Sequence, residues 1–284
     1  MGEEDWQAKL LVLVETGPAK VAHLACYLQN HLDDVAFLSM RALAKRAQSD
    51  PNVVMRVARM LGFDGFGHFR QAIQEKVRSA PQSYAQRAMA LQAQGDKNMA
   101  QLVATSMRRN EAALFTAENI QVIDQMAEHL VAAKHVLCVG VRSCFALVHY
   151  FAYGGRMAFP QFLHVPTEPG DLVEQVSKLD KNDILFTISY AHYSAEIMQS
   201  CKIAHDVGAR ILLFTDRHDA PMVALSNNVL VLPISGPQLL PTLTPAFLAA
   251  ELLLSDMVSK DPKAAQRIAT HEKRLQQYAA YWPS

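Results

Sequence analysis

The chain has 284 residues, half of them apolar, and its 27 basic side chains are balanced by 27 acidic ones. That length is long for one core and comfortable for two domains, and the composition excludes a disordered or broadly polycationic chain. The acidic start, MGEEDWQAKL, lacks the basic-then-apolar profile of an export signal, and no apolar run approaches a membrane span, so a cytoplasmic protein with no membrane partner is expected.

Trp6 to Glu15 and Pro18 to His31 read as amphipathic helices, the second repeating Val21, Leu24, Ala25 and Leu28 at helical spacing. Ser39 is a natural N-cap for a third, with Leu43, Ala44 and Ala47 facing inward. After Gln48 and Ser49, Asp50 caps a fourth helix with Pro51 at its first position, and Val54, Val57, Ala58 and Leu61 form one buried stripe that Gly62 terminates. The pair has the proportions of a helix-turn-helix, whose second helix presents its early residues to base edges in the DNA major groove.

Charge supports that reading. Between Ser39 and Arg78, Arg41, Lys45, Arg46, Arg56, Arg59, Arg70, Lys76 and Arg78 outnumber Asp50, Asp64 and Glu75 by five, in a chain of zero net charge, as contact with a phosphate backbone requires. The DNA-facing candidates are Ser39, Arg41 and Ser49, together with Asn52, Val53, Met55, Arg56 and Arg59 outside the apolar stripe. Arg suits guanine, Asn suits adenine, and Val or Met can touch a thymine methyl; which of them reads bases stays open.

Residues 38 to 70 resemble the N-terminal domain of the RpiR/MurR family of bacterial transcription regulators, with Leu61, Gly62, Phe63, Gly65, Phe66 and Phe69 in the family's L-G-F-x-G-F/Y-like segment. Gln48 stands where the family's turn carries Gly, and Asp50 where the cap is usually Ser. A non-Gly residue in a left-handed turn costs roughly 1 kcal/mol, and Asp caps about as well as Ser.

A further helix from Gly65 to Arg78 carries Phe66, Phe69, Ile73 and Val77 on one face. We place the helix-turn-helix domain at 1–78, a Gln-rich linker at 79–98 in which Tyr84 to Gln94 is a possible helix, and a second domain at 99–284. Two helices, Met99 to Phe115 and Ala117 to Ala133, precede a change of rhythm. The runs HVLCVG, QFLHV, DILFTIS, RILLFT and NVLVLP then alternate with helical patterns. That rhythm predicts a five-stranded parallel sheet flanked by helices, with ligands at the carboxyl ends of the strands. Leu248, Leu252, Leu253 and Met257 form an apolar stripe that serves either core or dimer interface.

Polar residues gather at three strand ends: GVRSC from Gly140, SYAHYSAE from Ser189 and TDRHDAP from Thr215. Ser194, ahead of a helix, is either an N-cap or an anion contact. The order and spacing of this half resemble the SIS (sugar isomerase) domain, whose S-x-S-G-x-T-x-E loop holds a sugar phosphate. Ser189, Ser194 and Glu196 match it; Ala191 and His192 replace the second Ser and the Gly. GVRSC resembles the family's G-x-G-x-S loop with Arg142 for a Gly and Ser143 as the nearest hydroxyl. The resemblance therefore implies a ligand site of Arg142, Ser143, Ser189, His192, Ser194 and Glu196, with Arg142 and His192 either replacing the missing hydroxyl by charge or filling the pocket.

The expected function is a transcription regulator of a metabolic operon, binding operator DNA as a homo-dimer or homo-tetramer under control of a small, anionic effector, with a phosphosugar among the candidates. The alternative is a phosphosugar isomerase, for which Glu168, Glu174, His192 and Glu196 are the candidate bases; none has a recognisable partner in sequence, so no catalytic residue is assigned. Cys26, Cys138, Cys144 and Cys201 make no CxxC pair and read as buried free thiols. The eleven His residues are scattered, and neither a metal nor a cofactor is expected.

Overall fold

The computed structural model describes residues 6–79, 83–93, 98–168, 170–280 and 282. The chain forms two compact units, 1–81 and 82–284.

Unit 1 is all-helical: α1 (Trp6–Thr16), α2 (Ala19–Asn30), α3 (Leu32–Phe37), α4 (Met40–Arg46), α5 (Pro51–Met60) and α6 (Phe66–Ser79). The short α3 was not anticipated; it lies where His31 ends α2 and restarts the chain in a new direction. Its core joins Val21, Leu24 and Leu28 of α2, Leu43 and Ala44 of α4, Val54, Val57 and Ala58 of α5, and Phe69 and Ile73 of α6. The expected face of α6 is thus confirmed up to Ile73, while the side chain of Val77 lies outside the described residues, as do those of Lys76 and Arg78. Both expected caps form: Ser39 Oγ accepts from the Ala42 N–H at 3.3 Å and Asp50 Oδ1 from the Asn52 N–H at 2.7 Å. Gly62, at φ +102°, takes the left-handed C-terminal position that a side chain resists.

Gln48 adopts φ 49° in the turn between α4 and α5, the conformation implied by its place in the motif. Changing Gln48 to Gly removes the Cβ penalty of about 1–2 kcal/mol, partly offset by glycine's greater freedom in the unfolded chain. A net gain of about 0.5–1 kcal/mol is expected, a rise of a few degrees in the melting point of this unit. A calorimetric midpoint that stays or falls contradicts it.

Unit 2 opens with α7 (Tyr84–Ala93), inside the segment read as linker, then α8 (Met99–Leu114) and α9 (Ala117–Ala132). The alternating part follows as β1 (Val136–Val139), α10 (Phe145–Ala158), α11 (Asp171–Ser177), β2 (Ile184–Ser189), α12 (Ala195–Asp206), β3 (Arg210–Thr215) and β4 (Asn228–Val231), closed by α13 (Thr244–Lys260) and α14 (Ala264–Gln277). The strands form a parallel sheet in the order β1-β2-β3-β4. Because side chains alternate along a strand, Cys138, Phe186, Leu212 and Phe214 face α9, α10 and α13, while Leu137, Leu185, Ile211 and Leu213 face α11 and α12. Phe186 packs between Phe151 of α10, in a tilted contact, and Phe214, edge to face, with ring centroids 4.4 and 5.0 Å away.

The described sheet has four strands, which corrects the expectation of five. QFLHV lies beside β1 where the fifth would be, but only Phe162 bridges to Val136. Val136 N–H donates to the Gln161 carbonyl and Val136 O accepts from Leu163 N–H, both at 2.9 Å. Past Leu163 the pairing stops, and Pro166 has no N–H to extend it. What holds the segment is its ring: Phe162 lies on Gly155, where a Cβ would come within 2.5 Å of it. On α13, Leu253 and Met257 of the stripe are fully buried in this unit's core, while Leu248 and Leu252 are half-buried against it.

Candidate functional site

In unit 1, α5 presents Asn52, Arg56 and Arg59 to solvent, while Val53 and Met55 are half-buried and pack against the core. Ser39 and Arg41 are exposed at the start of α4, and Ser49 is half-buried in the turn. Two of the basic residues counted in the sequence have structural partners: Arg46 Nε lies 3.3 Å from Asp34 Oδ2, and Arg70 Nε donates to the Ala36 carbonyl at 3.1 Å. The excess of positive charge free to meet a polyanion therefore rests more heavily on Arg41, Arg56 and Arg59. Lys20 and His23 of α2, which sequence did not single out, share a surface cavity with Gln48, Ser49 and Val53 beside the N-terminus of α5.

In unit 2, the turns following β1 and β2 meet at the carboxyl edge of the sheet, where α10 and α12 begin. Parallel strands bring successive loops to one edge, and helix N-termini there carry free N–H groups and positive dipole ends. One pocket at this edge is lined by five of the six expected residues, Arg142, Ser143, Ser189, His192 and Ser194. Glu196 stands outside the lining and is tied to it. Its N–H donates to Ser194 Oγ at 3.2 Å, Ser194 Oγ donates to its Oε2 at 3.1 Å, and Arg142 Nη1 lies 3.8 Å from the same oxygen. Ser194 is thus the N-cap of α12. Arg142 and Glu196 are both largely exposed, 70% and 61%, so their pairing is weak and either group is free to turn to a ligand.

Arg142 has φ 53°, as expected of a residue occupying a glycine position. Ala191 N–H donates to Asp216 Oδ1 at 3.3 Å, fixing the loop after β2 to the loop after β3. Thr215 Oγ1 donates to the Ser189 carbonyl at 3.0 Å. In the third polar segment, Arg217 is engaged by Asp219 through two charge-assisted bonds of 2.7 and 2.6 Å and is not among the lining residues.

Sequence reasoning missed Tyr84, Tyr190 and Pro241, which also line the pocket. Tyr190 was traceable, because it continues the alternation of Ile188 beyond the end of β2; its buried hydroxyl has no hydrogen-bond partner among the described residues. Tyr84 carried no such signal in a Gln-rich stretch.

Several chemical roles lack support. The Cys144 thiol is buried in the pocket wall and is pushed up to about 11 by that burial, so it carries little thiolate at neutral pH. Glu174, a candidate base, pairs with Lys178 one helical turn on, at 2.6 Å, and Glu168 is exposed. Cys26 is exposed, contrary to expectation; the other three thiols are buried. Among the described residues, no three His, Cys, Asp or Glu are grouped to hold a metal, and no helix is long and apolar enough to cross a membrane.

A capped helix-turn-helix with an arginine-bearing second helix, joined to a parallel-sheet unit with a polar pocket at its carboxyl edge, defines a DNA-binding transcription regulator with a sensor domain. Comparisons agree. A family model described as "Helix-turn-helix domain, rpiR family" matches residues 19–80, and one described as "SIS domain" matches residues 129–255. The two matches give the chain the domain order of an RpiR-type transcription regulator, a helix-turn-helix domain followed by a SIS domain. It is 24% identical over 200 residues to an uncharacterized HTH-type transcriptional regulator of Escherichia coli K12, YfhH, covering 68% of each chain. A second such regulator, CPE0189 of Clostridium perfringens, is 21% identical over 71% of this chain and 72% of its own. The fold is similar to that of Vibrio vulnificus NanR, solved in complex with ManNAc-6P (TM-score 0.56, 18% identity, 95% of this chain and 98% of that one). It also resembles the sugar isomerase domain of an RpiR transcription factor from Sphaerobacter thermophilus (TM-score 0.53, 19% identity, 66% and 98%).

Proposed function

We propose that this regulator acts in the cytoplasm, contacts operator DNA through Arg41, Asn52, Arg56 and Arg59, with Ser39, Ser49, Val53 and Met55 at the rim, and senses a sugar phosphate or related anion. The observation that carries the sensor half is the convergence of Ser143, Ser189, Ser194, Arg142 and His192 in one pocket at the carboxyl edge of the sheet, with Glu196 as the counterion that a ligand's anionic group releases from Arg142. The NanR complex with ManNAc-6P supports a phosphosugar as the first compound to try. Two recognition helices must meet half-sites about one DNA turn apart, so the working form is a homo-dimer or homo-tetramer. Its interface does not use Leu253 or Met257. Sedimentation of the full chain at micromolar concentration should show a dimer or larger; a monomer that stays monomeric on operator DNA overturns that form.

Regulation is favoured over isomerisation by the arginine-bearing helix-turn-helix; of the four candidate bases, Glu168 and Glu174 do not line the pocket, while His192 lines it and Glu196 is bonded to its rim. Gel shifts with the protein's own upstream region, at two salt concentrations and with and without a panel of phosphosugars, test this reading. Specific binding that a panel member alters is expected. Absence of sequence preference, or turnover of a phosphosugar followed by NMR, overturns it. Calorimetry on Arg142→Ala then separates the two roles of the replaced residues. An affinity at least tenfold weaker identifies Arg142 as an anion partner. Unchanged affinity, with binding gained in the double variant Ala191→Ser/His192→Gly, identifies a filled pocket.

A further inference from the structure

Tyr84 is a half-exposed part of the pocket wall. It begins α7, a ten-residue helix with no buried side chain, and its ring stands edge-on to that of His192, with centroids 5.7 Å apart and planes at 80°. One turn on, Arg87 donates from Nη1 to the Gln238 carbonyl at 3.0 Å. That carbonyl lies three residues before Pro241, another residue of the wall. A ring contact and a charge-assisted hydrogen bond thus hold α7 at the mouth of the pocket.

With Tyr84 in place, the free space is about 40 Å³, whereas sites for small ligands run to about 300 Å³ or more. A sugar-sized ligand enclosed at this site therefore displaces part of the wall, whether exposed side chains or α7. Cys144, Ile188, Ser189 and Ile197 are buried parts of the sheet unit, and shifting them breaks packing or strand pairing. Arg142 and His192 are exposed parts of the wall that can turn without moving the backbone, and α7, which buries no side chain, is the helix of the wall that can leave without opening the core.

We propose that Tyr84 is a plug: α7 is seated on the pocket in the ligand-free protein, through Tyr84 on His192 and Arg87 on the Gln238 carbonyl, and the effector expels it. This rests on reading the pocket as the effector site. Only residues 80–83 separate α6 of the DNA-binding unit from α7, so expulsion adds the whole of α7 to the tether between the two units. An effector that binds only the unplugged form shifts the population by its differential affinity. Linkage then requires the reciprocal effect: weakening the plug tightens effector binding.

Two arms on the full chain test it. Without ligand, hydrogen–deuterium exchange at residues 85–93 should quicken at least fivefold in Tyr84→Ala and in Arg87→Ala; exchange matching the parent in both variants overturns the plug. With ligand, calorimetry using ManNAc-6P and inorganic phosphate should give at least threefold tighter binding to Tyr84→Ala, and saturation of the parent should quicken exchange in α7. Equal or weaker affinity in Tyr84→Ala, or slower exchange in α7 on saturation, overturns the plug and makes Tyr84 a wall that grips the ligand. No heat from either protein overturns the effector reading for these compounds, and the ligand-free arm alone then decides whether Tyr84 seats α7.

Discussion

Replacing Arg56 and Arg59 of α5 together by Ala is expected to weaken operator binding by about 1.5 to 4 orders of magnitude, since each contact of this kind is worth about 1–3 kcal/mol. Both side chains leave the exposed face of a helix whose buried face is Val54, Val57 and Ala58, so the fold should survive. The single variants divide the effect. An arginine bidentate to a guanine relaxes sequence preference at one position, whereas one that holds a phosphate weakens all sequences equally and lowers the salt slope by about one. Fluorescence anisotropy on operator and scrambled DNA over a range of salt measures both quantities. Unchanged affinity and slope in the double variant would remove this face from the DNA interface.

Phe69→Ala should abolish operator binding by another route. Phe69 is fully buried and lies against Trp6 and Phe63, with ring centroids 6.2 and 5.2 Å away. Truncating such a ring costs about 3–5 kcal/mol, a large share of the roughly 4–12 kcal/mol that a unit of this size commands. A helical unit that melts near or below room temperature is expected, with the sheet unit's transition unchanged. Differential scanning calorimetry distinguishes this loss from that of the arginine variant, which should melt like the parent. A shift in the midpoint of unit 1 below 5 °C would contradict the assigned burial.

The helix-turn-helix was legible because local rules decide it. Ser39, Asp50, Pro51 and Gly62 each have one inexpensive place to be, and the apolar spacing of α5 leaves Arg56 and Arg59 outside. The sheet was legible as a set of apolar runs, but its width was not. QFLHV has strand composition and forms a single bridge, because pairing depends on the path after Leu163 and on the close approach of Phe162 to Gly155. The pocket was legible where serines follow strands. It was not where Tyr84 enters it, since no periodicity links that residue to β2, more than a hundred positions later. The apolar stripe on α13 showed the limit of one-dimensional patterns: on a helix packed against both α9 and α10, periodicity alone does not separate Leu253 and Met257, which are buried, from Leu248 and Leu252, which are half-buried.

Arg142 bears on which ligand charge such a pocket accepts. Its backbone sits where glycine is more comfortable, so reversion to Gly loses nothing in local conformation and leaves the turn after β1 intact. What it loses is the cation facing Glu196, whose carboxylate would then stand at the pocket mouth uncompensated and repel an incoming anion. On the reading of this pocket as an anion site, Arg142→Gly is therefore expected to shift its preference towards neutral or amine-bearing ligands.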